Sequence, residues 1–364
     1  IKYSSEGEVE WAKNIGGSRD DYISSVSSTK DGGYIVGGRF DSSTIQVGNE
    51  TLTSNGYSDG LIIKYSAEGE VEWAKNIGGS SSDSIYSVSE TSDGGAIAGG
   101  DFGSDSIQLG DYTLTKNGGC DGLIIKYNSD GAIEWAKNIG GSSSDSIYSV
   151  SETSDGGYIL GGDSISDMLP DILIIKYEMQ EIDNPVVTNA KDIGERYDDR
   201  INSVAGTSDG GYIVGGRFDS STIQVGDYIL TNNGSGDGLI IKYDSEGEVE
   251  WAKNVEGSYD DEINSVAETS DGGAIAGGYF ESKTIQVGDY ILTNNGGIDG
   301  LIIKYDSEGE VEWAKNIGGS SSDYINSVAS TSDGGYIVGG YFYSKSIQVG
   351  DYILTSNGGI DGLI

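Results

Sequence analysis

The stretch Asp59-Gly60-Leu61-Ile62-Ile63-Lys64-Tyr65-Ser66-Ala67-Glu68-Gly69-Glu70-Val71-Glu72-Trp73-Ala74-Lys75 decides how this chain folds. Leu61 to Tyr65 is a short, largely apolar and β-branched run that reads as a strand, and Ser66 to Gly69 reads as a turn. Val71 and Trp73 then alternate with Glu70 and Glu72, the two-residue period of a half-buried strand. The Ile-Lys-Tyr at the heart of the stretch recurs at Ile1, Ile63, Ile125, Ile175, Ile241 and Ile303, with spacings of 62, 62, 50, 66 and 62 residues. Six repeats (1–62, 63–124, 125–174, 175–240, 241–302 and 303–364) fill the 364 residues without a linker, so a single domain is expected.

Upstream of the third strand each repeat carries two more. Ser24 to Thr29 is a mixed strand, Lys30-Asp31-Gly32-Gly33 a hairpin turn, and Tyr34 to Gly38 an apolar run suited to burial on both faces. Ile45-Gln46-Val47-Gly48 and Thr51-Leu52-Thr53 form a small side hairpin within the excursion from Phe40 to Ser58. Nowhere does an apolar stripe of helical period occur. Four antiparallel strands per roughly 60 residues, six times over, give an all-β fold, a β-propeller of six four-stranded blades. One such sheet cannot bury both its faces alone, whereas stacked sheets cover one another. The chain begins and ends within the third-strand heptad, so a fragment of a larger ring or array, and a longer natural chain, are expected.

Composition removes several function classes. The chain has 59 acidic and 21 basic residues, a formal net charge of −38. Such a field repels phosphate backbones, so nucleic acid is not expected as a partner. With no histidine and one cysteine, Cys120, the chain can form neither a histidine-activated nucleophile nor an imidazole or thiolate metal site. No run approaches the roughly 20 apolar residues of a membrane span, so insertion is not expected.

The order Trp-Ala-Lys-Asn-Ile-Gly-Gly-Ser (73–80), an acidic loop, Ser-Asp-Gly-Gly (92–95), Gly-Gly-x-Phe (99–102) and Asp-Gly-Leu-Ile-Ile-Lys-Tyr (121–127) resembles the SBBP-type β-propeller repeat of bacterial secreted and surface proteins. The glycine doublet followed by Tyr and Trp is also similar to kelch blades, although Tyr65 and Trp73 stand one residue further apart than in that pattern. The resemblance implies an extracellular or cell-surface propeller scaffold. By analogy with kelch order, the Ser-Val strand is innermost and the tryptophan strand outermost. Two neighbouring repeats depart from the pattern. The third has Asp163 to Pro170 in place of the side hairpin, and the fourth opens with Glu178 to Pro185 and carries Asn189 in place of tryptophan.

Two sets of candidate site residues emerge. The position after the Gly-Gly doublet reads Arg39, Asp101, Asp163, Arg217, Tyr279 and Tyr341, varying in charge and shape while its framework hardly changes. Placed at the channel mouth on the long-loop face, this ring suits ligand contacts, arginine and tyrosine above all; free variation at exposed strand ends is the plainer reading. The acidic loops contribute Asp21, Asp83, Asp145, Asp199, Asp261 and Asp323, oxygen ligands of the kind calcium requires. The plainer reading there is an aspartate that accepts backbone N–H groups in a turn. The five tryptophans, sharing one face of their strand, read as packing between sheets.

These observations lead to a non-catalytic extracellular binding or adhesion module with a glycan or protein ligand on the long-loop face and no certain cofactor, calcium being the one candidate. The alternatives are a glycan-active hydrolase or lyase built on a carboxylate pair, and a structural spacer.

Overall fold

The computed structural model describes residues 2–3, 9–11, 13–166, 169–179, 185–193, 199–330, 334–349, 352–356 and 361–363, and every regular element among them is a β-strand. The chain divides into two compact units, Ile1–Glu152 with Met179–Val186, and Thr153–Glu178 with Val187–Ile364.

In the first unit, sheet one runs Asp21–Ser28, Tyr34–Phe40, Asp59–Tyr65 and Val71–Ile77, each strand antiparallel to the next. Sheet two repeats the order with Asp83–Glu90, Ala96–Phe102, Asp121–Tyr127 and Ile133–Ile139. Asp145–Glu152 lies beside its first strand, with the Val150 N–H donating to Ser87 Oγ at 3.1 Å. In the second unit, Tyr158–Ser166 pairs with Leu169–Met179 in a long hairpin, from Tyr158 opposite Tyr177 to Ser166 opposite Leu169. Sheet three comprises Arg200–Gly206, Tyr212–Phe218, Asp237–Tyr243 and Val249–Val255. Sheet four comprises Asp261–Glu268, Ala274–Phe280, Asp299–Tyr305 and Val311–Ile317. Sheet five holds Asp323–Ser330, Tyr336–Phe342 and Asp361–Leu363. Side hairpins leave sheets one to five between second and third strands, as in Thr44–Val47 with Glu50–Thr53.

Of the third repeat's departures, Asp163 to Ser166 and Leu169 to Pro170 lie in the paired arms of this hairpin, and residues 167–168 lie outside the described residues. Of the fourth repeat's unusual opening, residues 180–184 lie outside the described residues. Asn189 falls in the strand Pro185–Ile193.

Each sequence signature has a local cause. Thr29 N–H donates to Gly33 O and Gly32 N–H to Thr29 O, both at 2.9 Å, with Gly32 at φ 83°. The loop is therefore a three-residue turn ending in a left-handed glycine, not the two-residue hairpin expected. Asp31 locks it by accepting from the Gly33 N–H at 3.0 Å and from the Thr29 hydroxyl. The glycine doublet answers two close approaches. A Cβ on Gly215 would lie 2.6 Å from Val266 and 2.7 Å from Ile263 of the next sheet, while one on Gly216 would strike the Arg200 carbonyl where the first strand bulges. The first strands of neighbouring sheets lie side by side within each unit: Val88 N–H donates to Ser25 Oγ at 3.2 Å, and Val266 N–H to Ser203 Oγ at 3.1 Å.

Tryptophan acts between sheets. Trp73 stacks on Tyr127 at 5.6 Å and donates its Nε1–H to Ser129 O at 3.1 Å, and Trp251 repeats this with Tyr305 and Ser307. Gly131, at φ 75°, carries the ring of Trp73 directly over its Cα, where a side chain would collide. The lysine of Ile-Ile-Lys-Tyr is buried in every sheet whose side chain is described. Lys126 Nζ reaches Asp93 at 2.8 Å, Glu134 at 3.1 Å and the Tyr127 carbonyl at 2.9 Å, tying the hairpin turn to the tryptophan strand. Burial of an ammonium is tolerated because two carboxylates and a carbonyl replace its water.

Candidate functional site

Antiparallel pairing sends the C-terminal end of each second strand and the N-terminal end of each first strand to the same rim, beside the long loops. The residue after the Gly-Gly doublet therefore sits opposite the residue that follows the loop aspartate at the start of the first strand. Arg39 faces Tyr22, Asp101 faces Ser84, Arg217 faces Arg200, Tyr279 faces Glu262 and Tyr341 faces Tyr324. Each sheet thus contributes a pair where the sequence analysis recognised one member. Tyr22, Ser84, Arg200, Glu262 and Tyr324 were missed, although their signal was the same: they vary between an invariant Asp and an invariant Ile.

In the first unit these pairs stay local. The Arg39 guanidinium sits 5.1 Å above the Tyr22 ring, and its Nε lies 3.5 Å from Asp41. Asp101 accepts from Tyr86 Oη at 3.2 Å and from Ser146 Oγ, of the neighbouring first strand, at 3.5 Å. Burial and the Asp101 charge raise the Tyr86 phenol far above its ordinary value.

In the second unit the pairs fuse into a continuous strip across three sheets. Arg217 pairs with Asp219 at 2.7 Å and Asp260 at 3.1 Å. Arg200 spans to Glu262 of sheet four with Nη2 at 2.8 and 3.0 Å from its two carboxylate oxygens, and Asn202 donates to the same carboxylate at 2.6 Å. Glu262 in turn accepts from Tyr279 Oη at 2.7 Å. Tyr279 meets Tyr324 of sheet five edge to face at 5.2 Å. Tyr324 stacks on Tyr341 at 4.9 Å and 28°, and Tyr343 closes the row at 5.9 Å. Burial, reinforced by Glu262, holds the Tyr279 phenol neutral well above its usual range. Asp163, the remaining member of the expected ring, lies in the second strand of the long hairpin's first arm, opposite Ile172.

The loop aspartates have another geometry. Asp83 Oδ1 accepts the Ser104 N–H at 3.1 Å, and its Oδ2 takes the Gly79 N–H at 2.8 Å and the Ser104 hydroxyl at 2.7 Å. Asp323 is held likewise by Gly319, Tyr343 and Ser344, Asp199 by Asp219 and Ser220, and Asp145 by the Gly141 N–H. Asp21 and Asp261 share the pattern, through Ser42 and Ser282. In Asp21, Asp83 and Asp323 the carboxylate staples the loop between sheets to the end of a second strand. Among the described residues no group of three histidine, cysteine or acidic side chains converges as a metal site. The environments nonetheless differ: burial pushes Asp261 up to about 7, with the Asp237 charge adding to it, and burial raises Asp237 to about 6. At Asp21, burial raises the pKa less than its hydrogen bonds from Gly17, Ser42 and Asp41 lower it.

No family model matches the chain. It is similar to an uncharacterized WD repeat-containing protein of Acanthamoeba polyphaga mimivirus, 22% identical over 98% of this chain and 32% of that protein. The chain thus spans about a third of the relative's length. Solved structures it resembles include Sqt1 from Chaetomium thermophilum, at 11% identity over 93% of this chain and 83% of that one with a TM-score of 0.46. The Neurospora crassa Pan2 WD40 domain gives 9% identity, 87% and 86% coverage and a TM-score of 0.44. The expected kinship to SBBP and kelch repeats is thereby corrected: the similarity found is to a WD repeat-containing protein. The physical reason is that its landmarks, the glycine doublet and the Tyr–Trp pair, serve contacts that stacked four-stranded sheets need in general. The bacterial, secreted source inferred from that kinship loses its support with it.

Proposed function

We propose that this chain is a non-catalytic propeller scaffold, its six repeats set around a common axis as one domain, that binds a protein partner at the rim strip of its second unit. The observation that supports this most directly is the continuity of that strip. Arg200, Glu262, Tyr279, Tyr324 and Tyr341 form an unbroken chain of ion pair, hydrogen bond and ring contacts over three sheets, and Arg217, opposite Arg200 in the ladder, adds its own ion pairs to Asp219 and Asp260 beside it. The framework around it is repeated almost unchanged, so the sequence concentrates its variation where a partner would touch. Tyrosine and arginine supply large contact area and directional bonds for few rotatable bonds, and they dominate the energetic centres of protein interfaces. Pairing within the strip holds those side chains in place before a partner arrives. The side-by-side first strands support the stacking of successive sheets within each unit. The loop aspartates, as staples, would support the rim rather than hold a metal.

A displayed peptide library selected on the full chain tests this reading. Binders are expected to lose at least tenfold in affinity when Tyr279 and Arg200 are both replaced by alanine. Binders that keep their affinity for that variant, but lose it when the opposite-face residue Glu246 is replaced by lysine, would sink the proposal.

A further inference from the structure

We propose that the tyrosine cluster of Tyr279, Tyr324, Tyr341 and Tyr343 receives a cationic side chain, an arginine or lysine from a basic segment of the partner. This rests on the reading of the rim as a protein-binding surface and names the chemistry it recognises.

The molecule contains its own precedent. In sheet one the two facing rim positions hold Tyr22 and Arg39, with the guanidinium 5.1 Å above the ring. In sheet five the same two positions hold Tyr324 and Tyr341, stacked at 4.9 Å, so an aromatic stands where sheet one places its cation. Among the described residues, no lysine or arginine contact with a ring falls on these tyrosines. The outer member, Tyr343, is 45% exposed, so the row opens to solvent at that end.

Charge favours the same occupant. Aromatic faces attract cations through their quadrupole, most strongly where water is partly excluded. Glu262 borders the cluster at Tyr279, and the negative charges of Glu281 and Asp323 bear on Tyr324, whose phenol is raised first by burial. The chain as a whole carries −38, which draws basic segments and repels acidic ones. The arginines at the other end of the strip are occupied by Asp219, Asp260 and Glu262 and do not fill the site.

The test is a titration of the full chain with a short basic peptide carrying one central arginine, alongside the same peptide with citrulline in its place. Citrulline keeps the planar shape and removes the charge. Binding is expected to weaken about tenfold with citrulline and about tenfold in Tyr324→Leu, while Tyr324→Phe, which keeps the aromatic face, binds as the parent does. Since Tyr324→Leu leaves net charge unchanged, general attraction to an acidic protein predicts no loss there. Equal affinity of Tyr324→Leu and parent overturns the proposal. Should that variant prove unfolded by its thermal melt, Tyr341→Leu gives the same decision. Loss of peptide binding on replacing Arg200 and Tyr279, with no sensitivity to citrulline or Tyr324→Leu, retains the rim and rejects the cation site. Indifference to every rim substitution rejects both.

Discussion

Sheets four and five of the second unit carry nearly the same second strand, Ala274–Phe280 and Tyr336–Phe342, yet they differ in what covers it. Ile275 is fully buried and its counterpart Ile337 is 50% exposed. A Cβ on Gly277 would meet Val328 and Ile325 of the following sheet, whereas one on Gly339 would find only Ser327 of its own sheet, at 4.0 Å. Beside Ile337, an open apolar hollow of about 430 Å³ is lined by Ile302, Ile317, Val338 and Leu363 among others. The first unit shows the mating surface in the same two states: Val88 is 5% exposed and packs on Gly37, while Val26 is 60% exposed. The difference teaches that the core of this protein belongs to pairs of sheets. Each sheet supplies an Ile-x-x-Val ridge on one face and a glycine-floored hollow on the other, and neither is a core until a neighbour fills it.

That view is most exposed to failure at the ridge. Ile325→Ala removes a fully buried side chain seated in the Gly277 hollow and is expected to destabilise the second unit by about 4 kcal/mol. Ile23→Ala, at the half-exposed ridge of sheet one, should cost about 1 kcal/mol in the same urea titration. Equal losses would show that the sheets do not depend on their neighbours. The hollow gives the next contrast. Gly277→Val forces a branched side chain into Val328 and Ile325 and should cost about 3 kcal/mol, while Gly339→Val, facing open space, should change the melting temperature little.

Acid–base behaviour sharpens the comparison. Asp261 in covered sheet four titrates near 7 because burial penalises its charge, against an ordinary value of 3.8 in the unfolded chain. The native state then binds more protons between those values, so this group makes stability fall as pH rises from about 4 to about 7. Asp21, in sheet one, is lowered instead; its contribution is present above the ordinary carboxylate range and is lost as pH falls through its depressed value. Asp261→Asn should flatten the decline between pH 4 and 7, and Asp21→Asn should lower stability at neutral pH only. Urea midpoints measured at intervals from pH 3 to 8 would decide between these slopes. The smallest contrast lies at the tryptophans. Trp251→Phe loses the bond to Ser307 O at 3.1 Å and should cost about 1 kcal/mol. At the half-buried Trp313, which lies 5.9 Å from Tyr336, the same change should cost about half as much by thermal melt.

The strands, the side hairpins and the inter-sheet place of tryptophan were legible, because period-two patterning and glycine turns act within a few residues, while the strand order within a sheet came by analogy with kelch blades. The three-residue form of the Asp-Gly-Gly turn was less so: its deciding bond, from Thr29 N–H to Gly33 O, skips the dipeptide that suggested a tighter loop. The buried lysines were missed for a different reason. Lys126 looks like a solvent-facing interruption of an apolar run until Asp93 and Glu134, from two other strands, are seen to enclose it. At the rim, the residue after Gly-Gly was recognised by its variation, but its partner across the ladder was not, since Tyr279 and Glu262 are 17 residues apart and meet only through strand register.

From composition and periodicity alone came the repeat, its strands, its acidity and the exclusion of histidine-dependent chemistry, since these depend on residue type and local spacing. Which aspartate is pushed towards neutral pH and which is not, which of two identical isoleucines is buried, and which tyrosines gather into one cluster depended on the tertiary structure. Near-identical repeats receive different neighbours, and desolvation and packing are properties of the neighbour as much as of the residue.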